Sequence, residues 1–273
     1  MQAAAELIIT AQLALAGAVL AAGGAAFANI PLGMLRHAYP TRSIRPVAWG
    51  PVHLALVMLL YISVASILVG FAGTDMDFAT AILVTVATQA VTVAAILYWV
   101  QKNDPHGAVG LGLRRGGNLR ALWFGGLTGL MCFPAIWGTN ILWPWLFERC
   151  GGSFEPQALV AGFEQASGVG LAFSLLMAVL VIPFFEELVF RGFLQSLLVQ
   201  RMGERSGLIV TAAVFGLVHG PSAFLPIFAL ALVLGVVMMR TGRIVGPWAL
   251  HGLYNGGVLV MQLIVGGMNG ATP

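Results

Sequence analysis

Charge is scarce in this sequence. Asp, Glu, Lys and Arg make up 8% of 273 residues, against roughly a quarter in a soluble domain. So few charges cannot clothe a water-facing surface, which excludes an ordinary soluble fold. The net charge of +3 is too thin for a phosphate-binding stripe, so no nucleic-acid partner is expected. Lysine occurs once, at Lys102, beside twelve arginines, and cysteine only at Cys132 and Cys150. On one helix those two cysteines would stand about 27 Å apart, beyond disulfide reach. A disulfide framework and a Cys-rich metal site are therefore excluded, and both thiols read as packing groups.

Apolar residues are abundant, at 59% before the 35 glycines are counted. A membrane-crossing helix needs about 20 of them in succession, and such windows recur at 5–35, 49–72, 78–101, 119–147, 169–201, 206–220, 222–240 and 245–267. The fold expected is an all-α, polytopic integral membrane helical bundle of about eight transmembrane helices, with lipid as its partner. The fifth window contains Pro183, which predicts a kink or tilt. The sixth is short and ends at His219, Gly220 and Pro221. Glycines within the spans, such as Gly23, Gly24, Gly125, Gly126 and Gly129, read as places of close helix approach. Trp49, Tyr61 and Trp99, near span ends, read as an interfacial belt.

Basic residues in membrane proteins gather on the cytoplasmic side. With the N-terminus outside, the inside loops receive Arg36, Arg42, Arg45, Lys102, Arg114, Arg115, Arg120, Arg201, Arg205, Arg240 and Arg243. That is all but Arg149 and Arg191, so both termini are expected outside. Ala26-Phe27-Ala28 resembles a signal cleavage site, but no Lys or Arg precedes it, and the first window is read as a retained span. Arginine in place of lysine, with much Ala and Gly, points to a GC-rich bacterial genome and hence the plasma membrane. The chain reads as a single membrane domain, 1–273, with N-terminal helices over 1–164 and a core over 165–268. No feature bears on oligomeric state.

Several polar residues lie where lipid should forbid them. Glu186, Glu187 and Arg191 fall inside the fifth window, each costing roughly 2.5–3.5 kcal/mol at a helix centre. Glu186 precedes Arg201 by fifteen residues, about 22 Å of helix, so the carboxylates are deep. Groups so placed persist when they pair, face a wet cavity or do chemistry. Glu187 and Arg191 stand at i, i+4, acid first, the favoured order for an ion pair. Glu186 is turned about 100° away and is the freer carboxylate, suited to a general base. Phe215 and His219 share a face at i, i+4, as do His251 and Asn255. His37, His53 and His106 read as solvated or interfacial.

Three patterns in this order, Glu186-Glu187-x-x-x-Arg191, Phe215-x-x-x-His219 and His251-x-x-x-Asn255, resemble the motifs of the CAAX protease and bacteriocin-processing family, also called CPBP or Abi, of intramembrane proteases. The resemblance covers about 165–268, and the earlier spans share only general character. It implies a peptide-bond hydrolase in which Glu186 and His219 activate water. His251 with Asn255 would form the oxyanion hole, and Glu187 and Arg191, with Phe215, would support the site. Substrates would be membrane-associated peptides or proteins, or C-terminal tails, reached through a polar cavity expected to open toward the cytoplasm.

The residues suit the same roles on chemical grounds. Amide hydrolysis needs a base for water and hydrogen-bond donors where the oxyanion forms, and a neutral His251 with Asn255 would supply those donors. This reading requires no cofactor. An alternative places zinc on Glu186, His219 and His251 with water in the fourth position, although no His-Glu-x-x-His is present. Buried Glu and His also serve proton relays and inactive scaffolds, but the N-terminal half repeats none of the motifs, as an inverted-repeat transporter would.

Overall fold

The computed structural model describes residues 46–73, 76–153 and 168–269, with side chains to 261. Seven helices account for nearly all of it: α1 Pro51–Ala72, α2 Phe78–Asn103, α3 Asn118–Arg149, α4 Gly168–Met202, α5 Glu204–Val218, α6 Phe224–Thr241 and α7 Val245–Asn269. Each end lies within two residues of the window read from the apolar runs. The window at 5–35 lies outside the described residues. Five helices, α1 to α4 and α6, are long and apolar enough to cross a membrane. At 15 residues, α5 extends only about 22 Å, short of the roughly 30 Å hydrocarbon layer. The chain is thus a polytopic helical membrane protein.

Local chemistry sets these boundaries. Pro51 occupies the first turn of α1, where its missing N–H costs nothing. Asp77 caps α2 by accepting from the Thr80 backbone N–H at 2.8 Å. Because α4 and α5 are separated by Gly203 alone, that residue must reverse the chain at φ 84°, a conformation that only glycine adopts freely. Apolar side chains face outward, including Phe71 at 88% and Val52 at 70% exposure, as suits helices bathed in lipid.

In lipid, apolar burial gains little, so close packing and interhelical hydrogen bonds hold the bundle. One packed cluster joins Val93, Ile96 and Val100 of α2 to Leu188, Phe193 and Leu197 of α4. A second joins Cys132 and Ile136 of α3 to Leu230 and Leu234 of α6 and Leu250 and Tyr254 of α7. A Cβ on Gly125 would run into the Gly246 carbonyl oxygen, so α3 and α7 meet backbone to backbone there. Across α4 and α6, Arg191 Nη2 donates to Ala231 O at 3.5 Å and Gln195 Nε2 to Gly235 O at 3.0 Å. Equal steps of four on both helices lock their register.

Two expectations need correction. Trp49 is no interfacial residue: it is 1% exposed, stacks on Phe193 at 5.1 Å and donates its indole N–H to Phe193 O at 2.9 Å. The segment before α1 folds inward, so proximity to a span end did not imply a lipid interface. Cys132 packs as expected, but Cys150 is exposed just beyond α3.

Pro183 does more than tilt α4. The helix takes π-type hydrogen bonding over Met177–Val181 and again over Leu188–Gln195, with ordinary α-helix over Ile182–Glu187 between them. The two carboxylates sit in this short α-helical insert.

Candidate active site

Adjacent residues on a helix point about 100° apart, yet both carboxylates reach the same imidazole. His251 Nδ1 lies 2.8 Å from Glu187 Oε1, and its Nε2 lies 3.7 Å from Glu186 Oε2. The ring of α7 is therefore clamped between two neighbouring acids of α4. The far oxygen of Glu187 meets Arg191 Nε at 3.2 Å, both side chains being wholly buried. This is the i, i+4 pair read from the spacing. Glu186 stays partly accessible, with 15% of its side chain exposed, and among the described residues its ion-pair contact is with His251.

Tautomers follow from the partners. Paired with Arg191, the Glu187 carboxylate accepts, so Nδ1 of His251 carries the proton. A neutral ring would then show Glu186 only a lone pair. To donate from Nε2, His251 must be an imidazolium, which departs from the neutral donor expected above. In that state the cluster balances Glu186 and Glu187 against Arg191 and His251.

His219 is the first residue beyond α5, at φ −90° and ψ 0°. Its Nδ1 lies 2.7 Å from Phe215 O, and since a carbonyl only accepts, Nδ1 holds the proton. Nε2 of a neutral His219 is left as an acceptor. Phe215, wholly buried, connects this histidine to the rest. Its ring lies 4.6 Å from the His219 ring and 5.9 Å, edge-on, from that of His251, while the Arg191 guanidinium sits 4.3 Å over it. A buried cation over an aromatic face is worth about 2 kcal/mol.

Asn255 lies one turn beyond His251, and its Nδ2 donates to Ala178 O of α4 at 2.9 Å. The structure thus brings Glu186, Glu187, Arg191, Phe215, His219 and His251 into one chain of contacts. Asn255 is placed beside them on α7 with one amide proton already engaged.

Some contributors were not read from the sequence. Gly252 lies where a Cβ would stand 2.5 Å from Val179 O, so it permits the close approach of α7 to α4. Trp248 donates its indole N–H to Leu180 O at 2.8 Å. Tyr61, read above as interfacial and near a span end, stands instead midway along α1, within electrostatic range of Glu186. The signal for Gly252 was available: glycine inside a helix costs about 1 kcal/mol relative to Ala and marks a close approach.

The zinc alternative meets a geometric difficulty. Among the described residues no three His, Cys, Asp or Glu side chains come together as a metal site. Glu186 and His251 face each other, and among the described residues the ring contacts linking His219 to His251 run through Phe215. The donors as arranged do not fit a three-ligand centre.

Residues 168–257 match the family described as type II CAAX prenyl endopeptidase Rce1-like. The matched segment contains all seven motif residues and leaves α1, α2 and α3 outside it. Comparison with curated proteins and with solved structures gives no match.

Proposed function

We propose, from the match of residues 168–257 to the Rce1-like CAAX endopeptidase family, that this integral membrane protein is a protease of the CPBP/CAAX type and hydrolyses peptide bonds by a glutamate-based mechanism. The observation that carries the reading is the imidazole of His251 held between Glu186 at 3.7 Å and Glu187 at 2.8 Å. Two carboxylates in contrasting environments acquire separate roles. Glu187, paired with Arg191, fixes the ring; Glu186, partly open and with no guanidinium in salt-bridge contact among the described residues, takes a proton from water.

In the proposed reaction, Glu186 accepts one water proton while the oxygen attacks the scissile carbonyl carbon. His219, with Nε2 available, accepts a hydrogen bond from the O–H that stays on the attacking oxygen and orients the attack. The oxyanion receives a hydrogen bond from Nε2–H of the His251 imidazolium and one from the free amide proton of Asn255. Each such donor typically accounts for about 2.7–4 kcal/mol of barrier lowering. Collapse of the tetrahedral intermediate breaks the C–N bond, and the proton held by Glu186 passes to the leaving amine. Substrates on this reading are membrane-associated peptides or C-terminal tails that reach the site through an opening on the arginine-rich, cytoplasmic side of a bacterial plasma membrane.

Glu186→Gln tests the reading because it keeps shape while removing the base. Purified parent and variant, incubated in detergent with a peptide library, should differ by more than a hundredfold in cleavage, with unchanged unfolding midpoints. Equal cleavage by the two refutes the proposal, and absence of cleavage by either supports the scaffold alternative. Metal analysis of the active parent bears on zinc independently: stoichiometric zinc required for turnover overturns the metal-free route.

A further inference from the structure

The π-type segment before the carboxylates presents three successive carbonyl oxygens to α7. Asn255 Nδ2 donates to Ala178 O, the Gly252 face lies against Val179 O, and Trp248 Nε1 donates to Leu180 O. These three α7 residues recur at steps of four and three, a single helix face.

One of those oxygens has a specific reason to be available. Within the segment, the Ile182 N–H donates to Met177 O, five residues back. The next bond of that register would run from residue 183 to Ala178 O. Residue 183 is proline, which has no N–H, so Ala178 O lacks that intrahelical donor and Asn255 takes its place.

A carboxamide is planar with two N–H groups, so engaging one on a fixed backbone oxygen sets the direction of the other. We infer that Pro183 is a positioning residue: by lacking an N–H it leaves Ala178 O to orient the Asn255 amide, and thereby aims the second amide proton at the substrate carbonyl. This rests on the reading of Asn255 as an oxyanion donor. Pro183 touches no reacting atom and works only through Asn255.

Pro183→Ala restores the missing donor, and the new N–H competes with Asn255 for Ala178 O. Alanine also suits a helix interior better than proline, so stability and activity should move in opposite directions. With the library peptide cleaved by the parent as probe, kcat should fall about tenfold to a hundredfold, in line with the cost of small misplacements. KM should stay within about twofold, and the unfolding midpoint should match or exceed the parent's. If Pro183 works only through Asn255, the double variant Pro183→Ala with Asn255→Ala should have a kcat no lower than that of Asn255→Ala alone. Placing the α-hydroxy analogue of alanine at position 183, which again lacks the N–H, should restore kcat. In protein labelled with 15N-asparagine, Pro183→Ala should shift the Asn255 side-chain resonances.

Parental kcat in Pro183→Ala overturns the inference. So does a kcat loss that tracks a fall in unfolding midpoint, or losses from the two substitutions that simply multiply. Failure here is separable from failure of the hydrolase reading. If Glu186→Gln is inactive while Pro183→Ala is fully active, only the positioning role falls; if Glu186→Gln is fully active, the hydrolase reading itself falls.

Discussion

Replacing Arg191 by methionine should destabilise the protein by about 3–5 kcal/mol, the usual result of leaving one member of a buried ion pair alone. Its guanidinium lies 3.2 Å from Glu187, and neither side chain is exposed. At an effective dielectric of about 20, two unit charges at that distance attract by about 5 kcal/mol, most of which offsets the loss of water. Methionine removes the attraction and leaves the desolvated Glu187 behind. It also removes the cation above Phe215. Replacing both residues, Arg191→Met with Glu187→Leu, removes both desolvation costs and should recover stability to within about 1–2 kcal/mol of the parent. Activity should not return with it. His251 then has no carboxylate at Nδ1, its ring is free to hold the wrong tautomer, and loss of a comparable orienting acid lowers turnover by orders of magnitude. Equilibrium unfolding in mixed micelles, followed by circular dichroism, measures the stabilities, and peptide cleavage measures the activity. A single variant within 1 kcal/mol of the parent, or a double variant no more stable than the single, would refute the view that Glu187 is a buried charge dependent on Arg191.

Further outcomes follow from other contacts. Gly252→Ala places a Cβ 2.5 Å from Val179 O. The two helices must part by several tenths of an ångström, with an expected overpacking cost of about 1–3 kcal/mol and a turnover loss approaching a hundredfold; an active, equally stable variant would show that α4 and α7 do not meet there. Tyr254→Phe removes the hydroxyl that accepts from Asn140 Nδ2 at 2.7 Å, for an expected loss of about 0.6 kcal/mol and unchanged kcat, since this contact joins α3 to α7 without touching the acids. Trp49→Phe keeps the stacking surface on Phe193 but loses the indole bond; unfolding should report a loss near 1 kcal/mol, again with kcat unchanged.

The helices were legible because lipid imposes a demanding length and polarity on each of them. Glu186, Glu187 and Arg191 were conspicuous for the same reason, since charged groups deep in an apolar run require an explanation. The i, i+4 rule was sufficient to pair Glu187 with Arg191. What spacing could not supply was the partner across helices. Nothing local shows that the imidazole of His251 lies between two acids 64 and 65 residues earlier, or that Phe215 is the ring through which His219 reaches it. Trp49 was misplaced because an amphipathic ring near a span end suits an interface and a buried hydrogen bond equally well. Pro183 signalled a disturbed helix, but only coordinates reveal that the disturbance is a change of hydrogen-bond register.

That change of register accounts for a separation of duties along α4. Arg191 and Gln195 bind Ala231 and Gly235 of α6, and Trp49 stacks on Phe193 of the same stretch. The earlier segment gives its carbonyls to Trp248 and Asn255 of α7. Ile182–Glu187 lies between these two attachments. If each attachment fixes its own side of the insert, weakening the α6 side should lower stability first. Weakening the α7 side should lower turnover first, because the distance from Glu186 to His251 depends on α7. Gln195→Leu and Trp248→Phe compare the two directly, each removing one interhelical hydrogen bond at similar cost. Gln195→Leu should shift unfolding with kcat nearly intact, and Trp248→Phe should shift unfolding to a similar extent but lower kcat as well. Identical profiles for the two variants would mean that α4 responds as one rigid rod and that the two π-type segments carry no division of labour.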